Sequence, residues 1–252
     1  MDAHCLTWTS ADFLGLTLRA CAKMIIRIGM EQGLEGRSLA WGLDYPGCFS
    51  YGQTDAEALL RFPHAFINYS NWIGLHTSAP WVESGDFDLR IEQHFTVFHT
   101  ALNGEDYEVN AFFRDDERLL TSEELERALL IYSWQRDELL AGVETLPSGL
   151  LTKQFPGERW DIIGILHHIA ETEFWYLQKA GQPLSPQAGR MKTAYDLLNL
   201  AEAQVRFALP GFDGNPRYIR ESCEEWTCRK VVRRLLWHQR DHIEQIKQLA
   251  FR

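Results

Sequence analysis

The stretch from Arg229 to Leu249 constrains this chain most. It holds neither Gly nor Pro, and its apolar residues recur every three or four positions, the period of an amphipathic helix. At roughly 100° per residue, Val231, Leu235, Ile246 and Leu249 form one stripe, with Val232 and Ile243 on its flank. The arginines, Asp241, Glu244 and Lys247 fall off that stripe and are expected to point elsewhere. His238 and His242 sit one turn apart at its edge, aimed into a core. Two neutral imidazoles so stacked can grip one divalent metal such as Zn, Ni, Cu or Fe. The plainer alternative is a pair of hydrogen-bonded core-edge histidines, so a third ligand from another element decides between them.

The stretch Trp160–Leu177 offers that ligand, since it is a second apolar-periodic helix containing His167 and His168. The two lie 100° apart and cannot both face one centre, and helical phase alone does not choose between them. Glu173 falls near the middle of the apolar arc set by Ile162, Leu166, Ile169 and Leu177. A carboxylate there needs a cation or strong donors. It is a candidate to orient a ligand histidine, to act as acid–base, or to ligate directly; the alternative is a structural ion pair.

Taken together, Trp160 with His168 eight residues on, then Ile-Ala and Glu, and later Trp226-Thr-x-Arg-Lys with H-x-x-x-H-x-x-Gln-Ile, resemble the DinB/YfiT-like family. The resemblance runs from about residue 120 to the end. It implies a four-helix bundle with a three-histidine metal site on His168, His238 and His242. The family's Trp-Ser pair is half matched, because Asp161 stands at the Ser position. A competing motif, the H-E-x-x-H of zinc peptidases, is disfavoured by Gln239, which can hydrogen-bond a water but cannot take its proton.

The 252 residues allow one large or two ordinary domains, and 45% apolar with 24% charged content describes a globular chain. A net charge of −10 argues against broad nucleic-acid or anionic-membrane binding, and no apolar run reaches membrane-spanning length. Five cysteines without a C-x-x-C pair make a disulfide framework unexpected, so a cytoplasmic setting is expected. Residues 1–23 read as an extension of unknown role; Asp2 and Asp12 occupy what would be the positive region of a signal peptide.

Residues 24–118 read as a small α/β domain. Strands are expected at Met24–Glu31 and Ser38–Tyr45, joined by a turn over Gly33–Gly36. Thr54 and Glu57 form a capping box opening a helix to about Leu60 or beyond, which Pro63 kinks or restarts. The string Pro46-Gly-Cys-Phe-Ser-x-Gly52-x-Thr54-x-x-Glu57-Ala resembles the HicB-like antitoxin domain over residues 24–75. No DNA-reading tail follows it, so specific nucleic-acid binding is not expected. His94 and His99 are read on one strand, facing opposite ways, and they, like His64 and His76, are assigned structural or surface roles.

Residues 120–252 read as the bundle, with helices near 123–145, 160–181, 192–208 and 227–251. The overall expectation is an α+β two-domain protein, a HicB-like unit followed by a DinB-like bundle. The family resemblance implies thiol S-transferases acting with a low-molecular-weight thiol, with Zn or Ni at the histidines. A metal-dependent hydrolase is the second expectation. The third is a non-enzymatic stress or regulatory module with a structural metal and a protein-binding HicB-like half. The partners expected are a small-molecule substrate and a second copy of the chain.

Overall fold

The computed structural model describes residues 23–83, 85–102, 104–221 and 223–251, so the expected extension, but for Lys23, lies outside the described residues. β1 (Met24–Leu34), β2 (Arg37–Gly42) and β3 (Phe49–Gly52) form an antiparallel meander, and α1 (Asp55–His76) then carries the chain to β4 (Phe87–Thr96). β4 lies parallel to β1, giving the order β3-β2-β1-β4. The Thr54 hydroxyl accepts from Glu57 N as its capping role requires, and α1 passes through Pro63 as one helix without restarting. Ile26, Ile28 and Met30 face α1, packing with Phe62, Phe66 and Ile73. The alternate residues of β1 face the other way, and a Cβ added to Gly29 would lie 2.7 Å from the Phe113 ring. Only a glycine lets that ring rest on the strand.

The strand expected to carry both His94 and His99 divides at Val97 into β4 and β5 (Phe98–Leu102), and β5 pairs with β6 (Glu105–Val109) as a separate hairpin. His94 and His99 therefore occupy different strands, paired with Asp55 at 3.4 Å and Asp106 at 3.0 Å. The bundle helices are α2 (Ser122–Glu144), α4 (Ile162–Lys179), α5 (Ala194–Ala208) and α6 (Cys228–Ala250), with a single-turn α3 (Ser148–Leu151) between the first two. Their distal ends share a core of Leu139, Ile165, Ile169, Leu198, Ile243 and Ile246, among others. β7 (Tyr218–Glu221) and β8 (Glu224–Thr227) form a hairpin ahead of α6.

The arginines of α6 point away from its apolar stripe, as expected, but not into solvent. Arg229, Lys230, Arg233 and Arg234 are all buried. Their partners are Glu124 on α2, Glu224 on β8, Asp116 before α2, and Glu31 on β1, at 2.8, 2.8, 2.7 and 3.4 Å. Burying such charges is costly unless each meets a counter-ion, and here each does. α6 thus lies between the bundle on its apolar side and the N-terminal sheet on its basic side. One core joins both halves, with Ile28 and Phe62 in the same cluster as Ile131 and Leu235. No helix among the described residues is long and apolar enough to cross a membrane.

Candidate metal centre

α4 starts where the Asp161 carboxylate accepts from Gly164 N at 2.7 Å. Asp161 is thus a helix cap, a task Ser performs equally well, which is why its substitution leaves the centre intact. The cap sets the phase of the helix, and His168 then projects toward α6 while His167 stays at the surface, 3.3 Å from Glu171. Trp160 lies flat against His168, with ring centroids 4.4 Å apart at 22°. A Cβ on Gly164 would sit 2.8 Å from the Trp160 Cβ, so this close seating needs a glycine on the helix.

On α6, His238 is buried and His242 half-buried, and their Nε2 atoms are 3.0 Å apart. His168 Nε2 is 3.2 Å from His238 Nε2. Three nitrogens bound tetrahedrally at about 2.05 Å from one ion would be separated by about 3.3 Å. The observed spacings are close to this, and the three residues form a group able to hold one metal ion.

The protonation states fit the same role. Burial pulls His168 down to about 4, assisted by His242 and Arg159, and pulls His238 well below the usual imidazole range. Both are neutral at physiological pH, as metal ligation requires. The other nitrogen of His242, Nδ1, donates to Gln245 Oε1 at 2.8 Å, and the Gln245 amide donates to Glu158 at 2.9 Å. That relay directs the Nε2 lone pair of His242 toward the centre. His238 Nδ1 is buried with no hydrogen-bond partner among the described residues, so nothing comparable fixes its tautomer.

No fourth His, Cys, Asp or Glu joins this group among the described residues. The three imidazoles instead border a cleft of about 610 Å³. Its bundle wall carries Arg159, Trp160, Trp237 and Asp241, and its opposite wall carries Glu35, Arg37, Phe49 and Tyr51 from the N-terminal sheet. The Tyr51 hydroxyl accepts from Trp237 Nε1 at 2.9 Å, and the Arg37 guanidinium lies 4.0 Å above the Tyr51 ring. Burial raises the Asp241 carboxyl above its usual range, against the pull of His242 and Arg37. Arg37, Tyr51, Arg159 and Asp241 were not singled out in the sequence. Tyr51 and Trp237 are 186 positions apart, a separation that no periodicity or motif spans.

Glu173 does not face the three histidines. It is completely enclosed, accepting from the Tyr132 hydroxyl at 2.9 Å and paired with Arg136 of α2. Burial pushes its carboxyl up while Arg136 and Tyr132 pull it down. The cation that a carboxylate in an apolar arc requires is this arginine, which is the structural ion pair that stood as the alternative to an acid–base or metal-tuning role. Gln239 is likewise structural, since its amide donates to Tyr132 O and Gln135 Oε1 inside the bundle.

No curated protein and no solved structure matches this chain. Residues 131–246, which span most of α2, all of α4 and α5, and the three histidines, match the family model of the DinB superfamily.

Proposed function

We propose that this protein is a metal-dependent enzyme of the thiol S-transferase type, acting on a small electrophile. The observation that carries the reading is a three-histidine group whose remaining side opens on a cleft walled by both halves of the chain. A structural metal site is normally closed by a fourth protein ligand, whereas a catalytic one keeps a position for water or substrate. Zinc or nickel suits three neutral imidazoles, and either would lower the pKa of a low-molecular-weight thiol that reached it. Gln245 and Glu158 would hold His242 in the orientation that turns its Nε2 toward the metal. Trp160 and Trp237 on one wall and Tyr51 on the other give the cleft aromatic surfaces, and Arg37 and Arg159 carry positive charge at its walls.

A metal-dependent hydrolase is favoured by one separate observation, the carboxyl of Asp241 lining the same cleft as the three histidines, a position that suits a proton acceptor beside an attacking water. The HicB-like reading of the N-terminal half is supported by its β-β-β-α-β order and by the close packing at Gly52, where an added Cβ would lie 2.3 Å from Ala58 N. In this proposal that half serves as a wall of the cleft.

The test is elemental analysis of protein purified without a metal-affinity step, followed by cobalt substitution and titration with 2-mercaptoethanol. One equivalent of metal and a new sulfur-to-cobalt absorption band are expected. Full metal with no change on adding thiol would remove the transferase reading and leave the hydrolase.

A further inference from the structure

Two arginines line the cleft, and Arg37 is committed to Glu35 at 2.6 Å. Arg159 is different, because it makes no ion pair or hydrogen bond among the described residues and is solvent-exposed at the wall of the cleft. It is nevertheless held in place. Its guanidinium lies 4.5 Å above the Trp160 ring, and that ring is stacked on the ligand His168. The sequence Arg159, Trp160, His168 is therefore a layered stack with an uncommitted cation two layers from the metal-binding nitrogens. Stacking on an aromatic face leaves the N–H edges of a guanidinium free to donate, and confines them to a plane.

We propose that Arg159 is the anchor for a carboxylate on the small molecule that binds at the three-histidine centre. This deepens the proposed function and rests on it, since it gives the substrate two ends: a group that reaches the histidines and an anionic group that meets Arg159. A single guanidinium with parallel N–H donors matches the charge and the fork of one carboxylate. A phosphate dianion would be left half-compensated, because Arg37 is engaged by Glu35 and the acidic side chains Asp241 and Glu244 face the same cleft. The rings of Phe49 and Tyr51 on the opposite wall favour a flat, apolar body between the two ends.

The test uses the full-length, cobalt-loaded protein and two probes that bind metals through the same group, acetohydroxamate and the monohydroxamate of succinic acid. The visible absorption of cobalt reports binding without any turnover. The carboxylate-bearing probe should bind wild-type protein about tenfold more tightly, the gain of a charge-assisted pair at a partly exposed site. Arg159→Gln should abolish that preference while leaving cobalt affinity and acetohydroxamate binding unchanged, and Arg159→Lys should retain part of it. Equal affinity of the two probes for the wild type, or a preference that survives in Arg159→Gln, overturns the anchor and leaves the metal centre standing. If neither probe alters the cobalt spectrum, the open coordination position is absent, and the anchor and the metal-enzyme reading fall together.

Discussion

Replacing Glu173 by Gln separates two roles that a buried carboxylate beside a metal site can play. Glu173 and Arg136 each have about 1% of their side chain exposed, and Tyr132 donates to the same carboxylate. Two Arg136 nitrogens, Nε and Nη1, are buried without a hydrogen-bond partner among the described residues, so Glu173 is the chief compensation for the guanidinium. Glu173→Gln keeps the shape but strands that charge, and breaking a buried pair in this way costs about 3–5 kcal/mol. For a chain of this size, about 1 kcal/mol lowers Tm by roughly 2–4 °C. Metal-free Glu173→Gln should therefore melt on the order of 10 °C below wild type. Its zinc isotherm at a temperature where both are folded should be the wild-type one, because Glu173 is no part of the histidine group. Replacing both members, Glu173→Leu with Arg136→Met, should recover most of the lost stability, since an apolar pair removes the stranded charge. Calorimetry on metal-free protein and zinc titration by competition with a chelator measure the two quantities. A 10- to 100-fold loss of zinc affinity with an unchanged melting curve, the usual effect of losing a ligand-supporting group, would refute the ion-pair account.

Four further outcomes are expected. His242→Ala should bind far less than one equivalent of metal and lose the metal-dependent rise in Tm, because the ion links α4 to α6; a full equivalent in the variant would place the site elsewhere. Gly164→Ala, which on helix propensity alone would stabilise by about 1 kcal/mol, should instead destabilise and shift Trp emission, as its Cβ meets the Trp160 Cβ at 2.8 Å. A stabilised variant with unchanged fluorescence would show that Trp160 yields freely. In metal-free protein, His168 with a pKa of about 4 and His238 below the usual range stay unprotonated in the fold while the unfolded chain takes up protons near pH 6.5. Stability should therefore be constant above that pH and fall as pH drops toward 4, by up to about 1.4 kcal/mol per unit for the buried His238. Urea titrations at pH 7, 6 and 5 measure this, and His238→Gln should flatten the slope. Fluorescence titration with duplex DNA at about 150 mM salt should show nothing tighter than the roughly 10⁻⁴–10⁻⁶ M of non-specific binding; sequence-selective nanomolar binding would reverse the view of the N-terminal half.

What the sequence determined by itself is local. The cap at Thr54 and the apolar periodicity of α2, α4, α5 and α6 act within a few residues, so the bundle helices appear within a residue or two of where the pattern puts them. The one-turn spacing of His238 and His242 is equally local, because the geometry of a helix is the same in any fold. Choosing His168 over His167 needed the family pattern, and the tertiary arrangement agrees by directing His168 toward α6. Only the tertiary structure decided where the charged residues went. Arg233 and Arg234 could be read only as pointing off the apolar stripe, because their partners, Asp116 and Glu31, lie more than a hundred positions away. Glu173 read as facing a metal for the same reason, since nothing in α4 announces Arg136 on α2. The cleft is the strongest case: the histidines, Trp160 and Trp237 come from the bundle, while Arg37 and Tyr51 come from a sheet near the start of the chain. A buried charge is tolerated wherever a counter-charge can reach it, and a cleft exists wherever two surfaces fail to touch, so both depend on packing that no local pattern encodes.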